Sequence, residues 1–284
     1  MIDIIREMLS MPFIRRALIL GILVALCASL LGVSLVLKHY SMIGDGLSHV
    51  GFGTLAIALA LNTAPLQTSI PLVLLAAFLL LRLNENSKIK GDAAIAIISS
   101  SSLAIGVIIV AKTKGMTADL CNYMFGSILA IKKDDLYFSI IISVVVFILY
   151  LFFYNKIYAV TFDENFAKAT GTKTGLYNML IALLTALIIV IGMRMMGAML
   201  ISSLIIFPAL TSMHIYKSFK HVVISSAILS VICFFIGIVI SYTWDTPAGA
   251  SIVVVNLALF LLFYTWRLIR IKILKRYFDE KIYY

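Results

Sequence analysis

Long apolar stretches separated by short polar segments make up most of this 284-residue chain. A helix that crosses the hydrocarbon core of a bilayer needs about 20 mostly apolar residues. Nine stretches reach or approach that length: Ile14–Leu37, Leu47–Leu61, Leu66–Leu83, Asp92–Ala111, Leu136–Tyr154, Gly175–Ile191, Ala198–His214, Val222–Tyr242 and Ala248–Arg267. A shorter stretch, Leu120–Ile131, is a candidate for a tenth, partial span. The pattern predicts an all-α, polytopic membrane protein with about eight to ten transmembrane helices.

The composition excludes a water-soluble fold. Hydrophobic residues make up 62% of the chain and charged residues only 13%, whereas a globular domain is about 45–50% apolar and roughly one-quarter charged. A soluble domain of this size would have too few polar groups to cover its surface. Helices that face lipid have no such requirement, because their backbone groups are satisfied internally and the acyl chains accept apolar side chains.

The formal net charge of +10 is best explained by membrane topology, since Lys and Arg collect in cytoplasmic loops and tails. We therefore expect membrane lipids, and no nucleic acid, as the partner of this charge. The densest basic cluster is C-terminal and predicts a cytoplasmic tail: Arg267, Arg270, Lys272, Lys275, Arg276 and Lys281. The N-terminal side stays open, because the segment with Arg15 and the loop with Arg82 are both basic, and three predicted helices separate them.

No motif in the sequence predicts catalysis by this chain. The glycine-rich phosphate loop of ATP-binding proteins and the HExxH motif of metalloproteases are both absent. The three cysteines, Cys27, Cys121 and Cys233, form no CxxC pair, so neither a disulfide framework nor a zinc finger is indicated. We expect a protein that is not an enzyme.

The strongest candidate for chemistry is the segment Gly44–His49. Asp45 and His49 are four residues apart and would share one face of a helix. A carboxylate oxygen together with an imidazole nitrogen suits Zn²⁺ or Mn²⁺. The alternative is that Asp45 only caps a helix and that His49 is simply hydrogen-bonded. An ionisable residue deep in the membrane costs about 2.5–3.5 kcal/mol, which would favour a function, but the sequence does not give the depth.

A polar segment between two spans, residues 160–171, predicts a short amphipathic helix. Thr161 followed by Glu164 has the pattern of a capping box, and Gly171 is suited to end the helix. Three residues would then share a face: Phe162, Phe166 and Ala169. The helix could lie on the lipid surface or dock in a groove of a cytoplasmic protein. Its two acidic residues and single lysine disfavour the lipid surface.

Other polar positions are weaker signals. Ser99–Ser102 and the pair Ser202 and Ser203 put hydroxyls inside apolar stretches. Such serines mostly bond across helices or to their own backbone, and a role in a transport path is the alternative. The residues of Asp245–Gly249 predict a turn.

These landmarks together resemble the membrane permease of bacterial zinc/manganese ABC importers, the ABC-3 metal permease family. The resemblance covers nearly the whole chain, from about Phe13 to Phe263. Its motifs are Leu31-Gly32 to Val36-Leu37, Met42–Asp45 with Ser48-His49, Asp92–Ile95, Leu120–Leu129 with Asp134–Leu136, Phe162–Glu164 with Ala167 and Gly171, Gly197-Ala198 with Leu204–Ile206 and Pro208-Ala209, and Asp245 with Pro247 and Gly249. Lys38-His39 departs from the family, which usually carries two basic residues there.

The resemblance implies a type II-like ABC importer permease that forms one transmembrane domain over 1–284. Its parts would be N-terminal helices over 13–155, a cytoplasmic coupling helix over 160–171, C-terminal helices over 174–266 and a basic tail over 267–284. Asp45 and His49 would line the metal path. A structural role would belong to Gly44, Ser48, Gly197, Pro208, Asp245, Pro247 and Gly249. The residues that contact the ATPase would be Phe162, Asp163, Glu164, Phe166, Ala167 and Gly171.

The same resemblance implies the partners and the substrate. Two copies of the chain would work with two copies of a cytoplasmic ATPase and with a separate extracytoplasmic metal-binding protein, in the bacterial cytoplasmic (inner) membrane. Zinc or manganese would be the transported substrate, with zinc slightly favoured because imidazole suits it, and no cofactor would be permanently bound.

Two other functions compete with this one. A proton-coupled secondary metal transporter often has repeated halves, but the Gly44–His49 segment has no counterpart in the second half of the chain. A membrane anchor or sensor without transport activity would tolerate replacement of Asp45 and His49.

Overall fold

The computed structural model describes residues 2–86, 91–113 and 133–282, and over these residues the chain is helical and contains no strand. The helices are α1 (Ile2–Ser10), α2 (Pro12–Leu37), α3 (Ser41–Ala60), α4 (Pro65–Asn86), α5 (Gly91–Lys112), α6 (Lys133–Phe152), α7 (Tyr154–Phe162), α8 (Glu164–Ala169), α9 (Thr174–Met196), α10 (Ala198–Ile215), α11 (Phe219–Trp244) and α12 (Ala248–Ile282).

Eight of the helices in the described part of the chain are long and apolar enough to cross a membrane: α2, α3, α4, α5, α6, α9, α11 and α12. The apolar part of α10, Leu200–Ile215, is shorter. These nine helices correspond one to one with the nine predicted apolar stretches, so the predicted all-α polytopic fold is confirmed. The candidate partial span Leu120–Ile131 lies outside the described residues.

The helices form a bundle with a buried centre and a lipid-facing surface. α2, α3 and α9 are the most buried spans, whereas α5, α6 and α12 are mostly exposed. The exposed positions on the outer helices carry large apolar side chains, such as Ile141 and Ile148 on α6 and Val254 and Leu261 on α12. Lipid acyl chains accept such side chains, which explains how so apolar a chain can be stable.

Small residues allow the central helices to approach closely, as is common in membrane bundles. A Cβ atom added to Gly32 on α2 would overlap the backbone oxygen of Ile205 on α10. A Cβ on Gly53 of α3 would lie 2.6 Å from the backbone oxygen of Ser102 on α5. The Ser230 hydroxyl on α11 donates a 2.9 Å hydrogen bond to a backbone oxygen of α2.

The two ends of the bundle can be assigned from contacts with α8. At the end of α2, Lys38 pairs with Glu164 of α8, and Leu81 near the end of α4 lines a small cavity with Lys38. We call this end of the bundle the α8 side. The far end of α12 also reaches it and exposes Arg267, Arg270 and Lys272. By the positive-inside rule, these basic residues favour a cytoplasmic location for the α8 side.

The same assignment settles the position of the N-terminal segment. α2 begins at the opposite end of the bundle, so the N-terminal basic residue Arg15 and the basic residue Arg82 at the end of α4 lie on opposite sides of the membrane. Three spans, α2, α3 and α4, separate them.

Candidate functional site

Asp45 and His49 lie together on α3, with 3.6 Å between Asp45 Oδ2 and His49 Nε2. The helix starts at Ser41, six residues before the apolar stretch Leu47–Leu61. Its first turns are polar and glycine-rich but still pack inside the bundle. A Cβ on Gly46 would lie 2.6 Å from Ile95 of α5. The two predicted site residues are therefore brought together on one helix face.

Asp45 is not a helix cap. The residue at the N-cap of α3 is Tyr40, and its side chain makes no capping hydrogen bond. Asp45 is the fifth residue of the helix, beyond the position from which a side chain caps the first-turn amides. The nearby Ser48 hydroxyl donates to the Asp45 backbone oxygen at 2.7 Å, and the Asp45 carboxylate faces His49. The alternative that Asp45 only caps a helix is therefore wrong.

The pair lies within the first three turns of α3, about 6 and 12 Å from the start of the helix, at a level between two contacts with α9. Just before the pair, Ile43 lines a small cavity with Ile181. Ile181 lies about 10 Å from the start of α9, at 1.5 Å per residue. Just after the pair, Gly51 packs against Met193, and Met193 lies about 28 Å from the start of α9. The whole of α9 is about 34 Å long. Ionisable groups at such a depth mark a functional site by default, because their burial in the membrane is unfavourable.

The pair is open on one side in the single chain, with side-chain exposures of 45% for Asp45 and 32% for His49. On its other side lies Ser202 of α10, close to the Asp45 carboxylate. Ser202 is buried, and its hydroxyl makes no hydrogen bond with the described part of the chain. Of the two serines noted in the sequence, Ser202 is thus the one that the structure places at the candidate site.

The pair alone does not form a complete metal site. Among the described residues, no group of three or more His, Cys, Asp or Glu side chains could hold a metal ion. Within the described ranges, one chain therefore offers one carboxylate and one imidazole here, with a hydroxyl nearby.

The predicted docking segment is built differently from the sequence pattern. Thr161 belongs to α7, and α8 is only six residues long. Asp163 has an extended backbone and caps α8 by accepting a 2.9 Å hydrogen bond from the amide of Phe166. The predicted capping box of Thr161 and Glu164 is therefore wrong, because the neighbouring Asp163 takes the capping position and Glu164 is held by other residues.

The segment nevertheless presents two aromatic rings on the α8 side. The break at Asp163 puts Phe162 on α7 and Phe166 on α8, but their exposures are 74% and 67%. Ala167 is buried beneath them. Gly171 has a φ of +80° and ends α8 with hydrogen bonds from residues 171 and 172 back to Lys168 and Ala167, as the sequence predicts.

Glu164 is bound from two sides by residues that the sequence did not single out for this role. Lys38 Nζ donates to Glu164 Oε2 at 2.7 Å, and Asn178 Nδ2 donates to Glu164 Oε1 at 3.0 Å. The available signals were weak, namely a charge directly after the apolar stretch of α2 and a single amide near the start of α9.

The late motifs form the turns that connect α9 to α12. Gly197 lies buried between α9 and α10 with φ 92° and ψ 154°, a conformation almost restricted to glycine. Asp245 is left-handed and ends α11, and Pro247 and Gly249 lie at the start of α12. The predicted turn is thus confirmed. Pro208 lies inside α10.

Comparison with known proteins places these features in a family. The model of the ABC 3 transport family matches residues 10–267. The manganese import system permease protein ScaB of Streptococcus gordonii is 32% identical over 259 residues, covering 91% of this chain and 93% of that protein. The high-affinity zinc uptake system membrane protein ZnuB of Haemophilus influenzae is 31% identical over 246 residues, covering 87% and 94%.

A solved structure gives the same result. The structure of PsaBC from Streptococcus pneumoniae in complex with Fab contains a chain with 31% sequence identity and a TM-score of 0.83, and the match covers 93% of this chain and 95% of that one. Because the family match and the relatives each extend over nearly the whole length, the chain belongs to the ABC 3 transport family.

Proposed function

We propose that this chain is the membrane permease subunit of an ABC transporter that imports zinc or manganese across the bacterial cytoplasmic membrane. The observation that carries the proposal is the Asp45–His49 pair on the part of α3 that lies inside the bundle. A carboxylate and an imidazole can replace part of the hydration shell of a divalent transition metal as it crosses. The metal is the cargo of this site, and no resident cofactor is required.

Two copies of the chain would complete the metal site. A single chain supplies two strong donors, whereas zinc usually takes four ligands. The open side of the pair would allow a second Asp45 and His49 to approach. The neighbouring helix α5 supports such an approach, because it exposes small residues at a spacing of four: Ala96, Ser100 and Ala104.

The ATPase would dock on the α8 side. Phe162 and Phe166 are large apolar side chains exposed on the α8 side of the bundle, and they fit a groove on a partner protein. One ATPase per permease chain gives two copies in the complex. ATP hydrolysis belongs to that partner, since the sequence of this chain lacks a phosphate loop.

On the opposite side, a separate metal-binding protein would deliver the ion. Sequence identity does not separate zinc from manganese, since ScaB is named for manganese and ZnuB for zinc, and their identities to this chain are 32% and 31%. The imidazole of His49 favours zinc slightly.

The experiment that tests the function is metal uptake into proteoliposomes containing the chain and its ATPase. We expect uptake of radiolabelled zinc or manganese to require hydrolysable ATP and to persist when a protonophore collapses the proton gradient. A non-hydrolysable ATP analogue is the control. Uptake that does not require ATP but stops when the protonophore is added would instead identify a proton-coupled secondary transporter.

A further inference from the structure

Glu164, the first residue of α8, is bound by two helices of the membrane bundle. One carboxylate oxygen accepts from Lys38 at the end of α2 at 2.7 Å, and the other accepts from Asn178 on α9 at 3.0 Å. Lys38 also donates to the backbone oxygen of Val160 on α7 at 3.1 Å. The docking segment is therefore tied to the bundle on both sides of the break at Asp163.

Lys38 is joined to the metal-bearing helix by a rigid corner. The amides of His39 and Tyr40 bond to the backbone oxygens of Val36 and Leu35 at 3.1 and 2.8 Å. With the left-handed His39 (φ 59°), these bonds form a Schellman motif, which fixes the path of the chain after a helix. α3 starts at Ser41, directly after this corner.

We propose that Lys38 and Glu164 are positioning residues that connect the ATPase-docking segment to the metal pair. A displacement of α8 pulls on Lys38 through Glu164, and the corner carries that displacement into the first turns of α3, where Asp45 and His49 lie. Asn178 holds the other oxygen of Glu164 and ties the same movement to α9. This inference rests on the proposed function, since it takes α8 as the segment that docks on the ATPase.

Burial distinguishes this ion pair from an ordinary surface contact. Exposed pairs are generally worth little because water screens them and both side chains lose freedom. Glu164 is 44% exposed, but the Lys38 side chain is only 5% exposed. A buried ammonium that loses its carboxylate keeps the backbone oxygen of Val160 and the nearby ring of Tyr40. Neither carries a compensating negative charge, so breaking the pair is strongly unfavourable.

The test uses the purified complex of the chain with its ATPase, reconstituted in proteoliposomes, and compares Lys38→Met, Glu164→Gln, Lys38→Arg and the charge-swapped double variant Lys38→Glu with Glu164→Lys. Lys217→Met, an exposed lysine on the same side, is the matched control. Three quantities are measured: the amount of ATPase that co-purifies, the rate of ATP hydrolysis, and the metal imported per ATP hydrolysed.

We expect Lys38→Met to retain the ATPase and to hydrolyse ATP, while the metal imported per ATP falls by about tenfold or more in both Lys38→Met and Glu164→Gln, as for the loss of one charged hydrogen bond. Lys38→Arg and the charge swap should restore part of that ratio. An unchanged ratio in Lys38→Met, or loss of the ATPase from that variant, would overturn the proposal. Failure of the unmodified chain to bind an ATPase would instead overturn the proposed function.

Discussion

Asp135 and Arg194 form an ion pair, with 2.8 Å between Asp135 Oδ2 and Arg194 Nη1. The pair joins the first turn of α6 to the last turn of α9 at the end of the bundle opposite α8. Both side chains are largely buried. Each charge also has the favourable sign for its helix end, since an acidic group stabilises an N-terminus and a basic group a C-terminus.

Arg194→Met should destabilise the bundle by about 3 kcal/mol, the lower end of the cost of breaking a buried ion pair, since the Asp135 side chain is still 25% exposed. The measurement is the melting temperature of the detergent-solubilised protein. Asp135→Asn combined with Arg194→Met should melt at a higher temperature than Arg194→Met alone, because no unpaired charge is left. Equal melting temperatures for Arg194→Met and the unmodified protein would show that the pair contributes nothing.

Gly32→Ala should disrupt the contact between α2 and α10, because the added methyl group overlaps the backbone of Ile205. We expect a loss of about 1–3 kcal/mol, typical of overpacking in a tight core. Gly175→Ala is the matched control, since nothing lies within 4 Å of a Cβ there. The yield and melting temperature of both variants test this, and similar values for the two would contradict the packing described here.

Phe166→Asp should leave the protein in the membrane but weaken its complex with the ATPase, because it puts a charge on the exposed docking surface. Phe166→Leu keeps an apolar side chain and should retain the complex. Co-purification of the ATPase with each variant measures the effect. A normal yield of ATPase with Phe166→Asp, together with normal uptake, would exclude this surface.

His39→Gly should stabilise the corner between α2 and α3 by about 1 kcal/mol, because His39 has a φ of 59° and a non-glycine residue is strained in the left-handed region. A raised melting temperature would support this, whereas a lowered one would show that the imidazole makes a contact that outweighs the strain.

The membrane spans were predictable because their signal is a long run of apolar residues, which tertiary contacts do not alter. The start of α3 was not predictable in this way. Its first turns contain Ser41, Gly44 and Asp45, which look like a loop in a hydropathy profile. They are helical because the glycines allow neighbouring helices such as α5 and α10 to approach closely.

The site was predictable only where its residues are close in sequence. Asp45 and His49 share a helix face by spacing alone. Ser202, Lys38 and Asn178 reach their partners across the fold, and the sequence contains no signal for such distant pairs. The capping residue of α8 was mistaken because Thr161 and Asp163 both suit a cap, and only the local backbone decides between them.

The central claim is that Asp45 and His49 bind the metal as it crosses. Asp45→Asn keeps the size of the side chain but removes its charge, and His49→Ala removes the nitrogen ligand. Each change should impair uptake severely, and the double variant should be little worse than either, because groups that act as a unit are not additive. Asp245→Asn is the matched control, since it makes the same change at an exposed position whose left-handed backbone suits Asn as well as Asp.

The most direct measurement is the uptake of radiolabelled zinc and manganese by cells that make equal amounts of the unmodified chain, Asp45→Asn and Asp245→Asn. We predict that Asp245→Asn transports normally and that Asp45→Asn lowers the uptake of the transported metal to the level of cells lacking the chain. Normal uptake by Asp45→Asn would contradict the claim that this carboxylate binds the metal on its path.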